Sequence, residues 1–218
     1  MKSECRFIRA RQPEQKEQRR SQILHAAAEL LAEEGFEKVS LNGIARRAGV
    51  AKSNIYRYFE SREDIYLQLL KDDWQEWLEV LEAALAPLAG SDDVDQVTTL
   101  IGKRIADSPR MCQLMSVLAS VLEDNISEAL LYRFKLDSVQ MGMRLVQQIH
   151  TALPGIQQQH LLPAVQSIIA LIAGLWPLTN PNERVAKVME KPELSAFKLE
   201  FEPAIIRSLQ LLARGAYA

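Results

Sequence analysis

The chain has 218 residues, 48% of them hydrophobic and 25% charged, with a formal net charge of −2, values that suit one large or two smaller soluble domains with a buried core. The longest apolar run, Ile168 to Trp176, is about half of the ~18–20 residues of a membrane span, and the first twenty residues lack the apolar stretch of a signal peptide. Cys5 and Cys112 are far apart and the three histidines lie at no ligand spacing, so the expectation is a cytoplasmic protein without membrane contact, metal, cofactor or disulfide framework.

Residues 1–12 show no periodicity and carry Lys2, Arg6, Arg9 and Arg11, which reads as a flexible basic arm able to reach phosphates or a minor groove. Pro13 suits the first turn of a helix, where its missing amide is not needed. Ile23, Ala27, Leu30 and Leu31 then give that helix one apolar face, and Gly35 ends it.

Leu41 to Phe59 holds two short helical patterns around a glycine. Ser40 is a good N-cap, because its hydroxyl can accept from a free first-turn amide. Leu41, Ile44, Ala45 and Ala48 recur at the helical period, and Gly49 stands where a left-handed residue would close the helix. Val50 and Ile55 would hold a second short helix against the first, leaving Lys52, Ser53, Asn54, Tyr56 and Arg57 outward. Two crossed helices joined by such a turn form a helix-turn-helix, whose second helix enters a major groove. Charge agrees with that assignment. The first sixty residues hold twelve Lys/Arg against eight Asp/Glu, and the remainder fourteen against twenty.

Ser61 and Asp64 resemble a capping box. They open a helix with Ile65, Leu69, Leu70, Trp77, Leu81 and Leu85 on its apolar side, which should run to about Ala86. Further helices are expected from Asp92 to about Asp107, from Ser108-Pro109 to about Glu123, and from the Asn125/Glu128 capping pair to Leu153. A helix apolar nearly all round covers 161–176, ending at Trp176-Pro177. A short one covers 182–190, and a last one 193–214, with a kink or break at Pro203. No strand alternation is found. The fold class is all-α with about nine or ten helices: a three-helix head at 13–62, then a larger helical domain at 63–218.

The series ILHAAAELLAEEGFEKVSLNGIARRAGVAKSNIYRYFESREDIYLQLL resembles the N-terminal domain of the TetR/AcrR family of transcriptional regulators. Its landmarks fall in order: Ala27, Gly35-Phe36, Ser40, Ile44-Ala45, Ala48-Gly49-Val50, Tyr56, Tyr58-Phe59 and Ser61-Arg62-Glu63. The resemblance implies a homodimer that binds a palindromic operator in double-stranded DNA. It also implies a ligand-binding and dimerisation domain behind the head, which releases DNA when a small organic effector binds. Two positions depart from the pattern. Gly43 lies inside the first helix of the motif, and Ala51 stands where many members carry a capping serine, so Ser53 caps instead or the cap is missing.

The DNA-binding candidates are Ser40, Arg46, Arg47, Lys52, Ser53, Asn54, Tyr56, Arg57, Tyr58 and Arg62. Arg57 can bond guanine O6 and N7 or neutralise a phosphate; Lys52 and Arg62 suit phosphates; Arg46 and Arg47 serve phosphates or their own helix dipole. Large apolar groups that could line an effector cavity, or simply fill a core, are Met111, Met115, Phe134, Met141 and Trp176. Dimer-interface candidates on the last long helices are Val165, Ile168, Ile172, Leu175, Phe201, Ile205, Leu209 and Leu212. No nucleophile elbow, phosphate loop or metalloprotease motif points to an enzyme. The competing reading is a helical protein-interaction module that binds no DNA.

Overall fold

A computed structural model describes residues 11–217, with side chains from residue 14; Lys2, Cys5, Arg6 and Arg9 of the proposed arm lie outside the described residues. Among the described residues there are ten α-helices and no strand. The chain divides into two compact units, the first ending at Leu69 and the second beginning at Leu70.

In the first unit, α1 (Arg11–Glu34) buries Ile23, Ala27, Leu30 and Leu31 and ends at Gly35 in the left-handed region. Phe36 and Val39 are buried in the connection. Next, α2 (Leu41–Arg47) starts at Ser40, whose Oγ accepts from the Gly43 amide at 3.1 Å. It ends in a Schellman motif: Gly49, at φ +65°, donates to Arg46 O at 3.2 Å, and Val50 donates to Ala45 O at 3.0 Å. A side chain at position 49 would strain that turn. One further turn, α3 (Lys52–Ile55), buries Ile55, as Ile44 and Phe59 are also buried. Then α4 (Arg62–Leu85) begins with a displaced capping box. The Asp64 amide donates to Ser61 Oγ at 3.1 Å, while the Asp64 carboxylate accepts from the Glu60 amide at 2.8 Å. Asp64 reaches Glu60 rather than Ser61.

The second unit holds the rest of α4, α5 (Val94–Ala106), α6 (Pro109–Ser116), α7 (Glu128–Ala152), α8 (Gln158–Thr179), α9 (Glu183–Met189) and α10 (Phe201–Ala216). The helix from 92 is capped by Asp93, which accepts from Gln96 N at 2.9 Å; Asp92 instead adopts φ 55° and accepts from the Gly155 amide and the Tyr217 hydroxyl. α6 stops at Ser116 rather than near Glu123, because a π-helical turn (118–122) and a 3-10 turn (123–125) follow it. Ser127, not Asn125, caps α7. The last helix starts at Phe201, after a 3-10 segment at Pro192–Phe197. Pro203 therefore falls in the first turn of α10, where no amide is required, and kinks nothing.

Helix α5 packs on α10, and α8 packs on α6, α7 and α10. At Gly102 the α5 backbone lies so close to α10 that a Cβ there would sit 3.2 Å from the Ile206 Cα. The core of this unit contains Leu78, Leu81, Ile101, Ile105, Leu114 and Leu145.

Two observations concern the rear of the chain, and the first corrects an expectation. First, α8 runs through Pro177 to Thr179, and its 22 residues contain no Asp, Glu, Lys or Arg; with a hydropathy of 1.8 it meets the length and composition of a membrane span. The uncharged stretch was underestimated because its glutamines, His160 and prolines interrupt the apolar run. Second, Val165, Ile168, Ile172, Ile205 and Leu209 are buried within the single chain, where α8 and α10 pack on their neighbours. Leu175, Phe201 and Leu212 are half-buried, while the outward faces carry Leu162, Ala170, Gly174 and Leu178 on α8 and Leu211 on α10. Periodicity correctly indicated apolar faces but not which element covers them.

Candidate nucleic-acid interface

The α2–α3 corner presents a cluster of outward polar groups and one exposed tyrosine in the first unit. Lys52, Ser53, Asn54, Tyr56 and Arg57 are all exposed around Ile55, which is fully buried. Thus Ile55 anchors the turn and its neighbours face out. The N-cap position of α3 is Ala51, which supplies no side-chain bond, so the cap is missing and Ser53 does not replace it. Helical bonding lasts a single turn. Beyond it, Arg57 N donates to Asn54 O at 3.3 Å and Tyr58 N to Ile55 O at 2.8 Å, so Arg57 and Tyr58 stand on a turn rather than a helix. Tyr58 is half-buried, and Phe59 is buried with the Arg20 guanidinium 5.5 Å from its ring centroid.

Of the flanking candidates, Ser40 is exposed but its oxygen holds the cap of α2, and Arg46 points into solvent. Arg47 and Arg62 are each paired within the unit. Arg47 forms a two-pronged pair with Glu33, at 2.9 and 2.6 Å, and reaches Glu29 at 3.4 Å, tying α2 to α1. That bonding lowers the Glu33 pKa and raises that of Arg47. Arg62 donates to Val39 O, and its Nε and Nη2 both donate to the same Glu63 oxygen, at 2.9 and 2.7 Å, with its guanidinium 4.7 Å from the Phe36 centroid. Both cations are thus engaged inside the unit.

The effector-cavity candidates separate. Met111, Met115 and Phe134 are buried; Met141 and Trp176 are half-buried, with Trp176 edge-on to Phe201 at 5.0 Å between ring centroids. Of the five, only Met111 lines the cleft of about 340 Å³ that opens between α4 and the α5–α6 junction. Its other walls come from Trp77, Val80 and Pro109, with Asp73, Glu76, Arg104, Asp107, Ser108 and Arg110 around them. Sequence reading placed Trp77 only on an apolar helix face and passed over Arg110. The Trp and the Arg lie 33 residues apart, and helical periodicity carries no signal that joins them. Among the described residues, no group of three or more His, Cys, Asp or Glu is placed to hold a metal ion.

Comparison with known proteins extends over both units. Residues 23–69 match the family model for bacterial regulatory proteins of the tetR family, and residues 71–218 match that of the tetracyclin repressor-like C-terminal domain. The HTH-type transcriptional regulator BetI of Escherichia coli strain SMS-3-5 is 25% identical over 159 residues, which cover 72% of this chain and 80% of that protein. The fatty acid metabolism regulator protein of Bacillus subtilis strain 168 is 40% identical over 68 residues, 31% of this chain. That alignment spans only 35% of the Bacillus protein's own length. A solved structure of a TetR/AcrR-family transcriptional regulator from Thermobifida fusca YX-ER1 shares the fold at a TM-score of 0.56 and 19% identity, over 92% of this chain and 99% of that one.

Proposed function

Because the chain belongs to the TetR family of bacterial transcriptional regulators and is accordingly a DNA-binding regulator rather than an enzyme, we propose that it is a repressor that leaves its operator when an effector binds. The observation that carries this reading is the outward set Lys52, Ser53, Asn54, Tyr56 and Arg57 around one buried anchor, Ile55. Arg57 reads a base edge, Asn54 and Tyr56 contact bases or phosphates, and Lys52, Ser53 and Arg46 position the head on the backbone. Ser40 and Tyr58 support that surface, the first through the cap of α2.

A homodimer is part of the proposal, since one such corner covers only half of a palindrome. The second copy is assigned to the uncovered faces of α8 and α10, around Leu162, Ala170, Gly174, Leu178 and Leu211. Two recognition corners would meet half-sites about 34–36 Å apart, or a multiple of that. The effector is an apolar or amphipathic organic molecule received in the second unit, and the protein works in the cytoplasm. Family membership and the apolar character of α8 support these assignments.

A titration of palindromic and random duplexes over a salt series tests the reading. A dimeric regulator loses affinity linearly on a log–log salt plot and prefers the palindrome. Absence of DNA binding at low salt would overturn it and favour the protein-interaction module.

A further inference from the structure

Residues 177–200 fold without a core of their own. They hold the end of α8, the whole of α9 and the 3-10 segment before α10, yet not one of their side chains is buried. Their hydrogen bonds close locally. Asn182 accepts from Val185 N at 3.0 Å, and the Lys191, Leu194 and Lys198 amides each donate to the carbonyl three residues back. Among the described residues, no side chain from 181 to 200 bonds or ion-pairs with another part of the chain. The two ends are pinned together, because Trp176 meets Phe201 edge-on at 5.0 Å between ring centroids. The segment is a connector fastened at its base and packed on nothing.

It is nonetheless rich in large apolar groups. Leu178, Val185, Val188, Phe197 and Leu199 are all exposed, Phe197 by 73%. An aromatic ring so placed leaves on the order of 150 Å² of apolar surface in water. Five such groups on one unsupported segment mark an interaction surface.

Area, continuity and charge favour a second copy of this chain as the cover. A stable interface takes about 800 Å² from each partner. The outward faces of α8 and α10 include Ala170 and Gly174, which offer little, and Leu162 and Leu211 add only about 100 Å² each. The connector supplies further apolar area where those faces fall short. It leaves α8 at Leu178, in the last turn of one such face, and returns into α10, which carries the other. Arg184, Lys187, Lys191 and Lys198 are matched by Glu183, Glu190, Glu193 and Glu200, so the connector carries no net charge. A segment made for DNA or an anionic bilayer would hold an excess of bases.

We propose that residues 177–200 are a dimerisation strap that lies across the outward α8–α10 surface of a second copy, with Phe197 as its anchor and Val185, Val188 and Leu199 alongside. Dimer stability then depends on residues outside both paired helices. The strap rests on the homodimer reading, and its test separates the two. Full-length wild type and Phe197→Ser are compared by sedimentation equilibrium and by subunit exchange between ¹⁴N and ¹⁵N protein in native mass spectrometry. The variant should weaken the dimer, or speed exchange, at least about tenfold. Its far-UV circular dichroism should be unchanged, since no core contact is lost. Should it fail to fold, Val188→Ser carries the same comparison. Amide exchange across 183–200 should be slow in the wild-type dimer and fast once dilution separates the subunits. A wild-type dimer whose affinity and exchange rate are untouched by Phe197→Ser would overturn the strap and leave the homodimer standing. A wild type that is monomeric at every concentration would overturn both. Phosphatidylglycerol vesicles that protect 183–200 while the dimer ignores Phe197→Ser would give the connector to a lipid surface and overturn the strap as well.

Discussion

Arg62 Nη1 donates to the carbonyl of Val39 at 2.8 Å, across 23 residues of sequence. The same guanidinium covers the Phe36 ring and bonds Glu63, so the start of α4 is fastened to the connection between α1 and α2. Phe36 in turn packs against Tyr66 of α4, with ring centroids 5.2 Å apart. The helix-turn-helix is therefore clamped from its C-terminal side.

Arg62→Ala should destabilise the first unit by about 2–3 kcal/mol, the combined loss of a charged hydrogen bond to a half-buried carbonyl and a cation–π contact. Arg62→Lys should recover only a minor part, because an ammonium cannot bridge Val39 and Glu63 at once. Urea melts followed by circular dichroism measure both. If Arg62 acted only on phosphates, melting would be unchanged while DNA affinity fell.

The uncapped start of α3 predicts a gain. Ala51 has φ −68° and ψ 143°, the extended geometry of an N-cap, so Ala51→Ser places an acceptor at the free first-turn amides without strain. Stabilisation of about 0.5–1 kcal/mol is expected. Amide exchange at Ser53, Asn54 and Ile55 should slow in the variant, and unchanged exchange would show that the turn is held by Ile55 alone.

Lys52→Ala and Arg57→Ala should differ in kind. The lysine variant should weaken all duplexes alike and reduce the salt slope by about one counterion. The arginine variant should relax preference at particular base pairs, costing about 1–3 kcal/mol on the best site. Equal losses on every sequence from both variants would reassign Arg57 to the backbone.

Cys112 is fully buried and its Sγ donates to Ile105 O at 3.3 Å; burial pushes the thiol pKa from 9.0 up to about 12. The folded chain therefore keeps this proton over a pH range in which the unfolded chain loses it. Stability contributed by the protonated thiol is complete below pH 9 and falls as pH rises toward 12, by up to about 1.4 kcal/mol per pH unit. In a Cys5→Ser background, a disulfide reagent at pH 8 should leave Cys112 untouched until urea is added. Rapid reaction of the folded protein would refute that burial.

Local devices were the legible part of this chain. Ser40, Gly49 and the Ser61/Asp64 pair each act within four residues, and each is found at or within one residue of its expected partner. What escaped reading depends on distant partners. Arg62 and Arg47 look like free cations in sequence, and only the fold brings Val39 and Glu33 to them. For the stripe through Val165, Ile168 and Ile172, periodicity places a face on one side of a helix but is silent on which elements of the same chain cover it. Trp77 escaped because only the fold brings Pro109, Arg110 and Met111 to the cleft that it lines.

The α3 corner also separates two kinds of selection. Across residues 51–57 only Ile55 is buried, and the other six side chains face solvent. A substitution at any of those six removes no core contact, so a change of target sequence need not pass through an unstable intermediate. On the proposed assignment, descendants of this protein could exchange one operator for another by drift at Lys52, Asn54, Tyr56 or Arg57. Ile55 would stay fixed while the words it holds in place are rewritten.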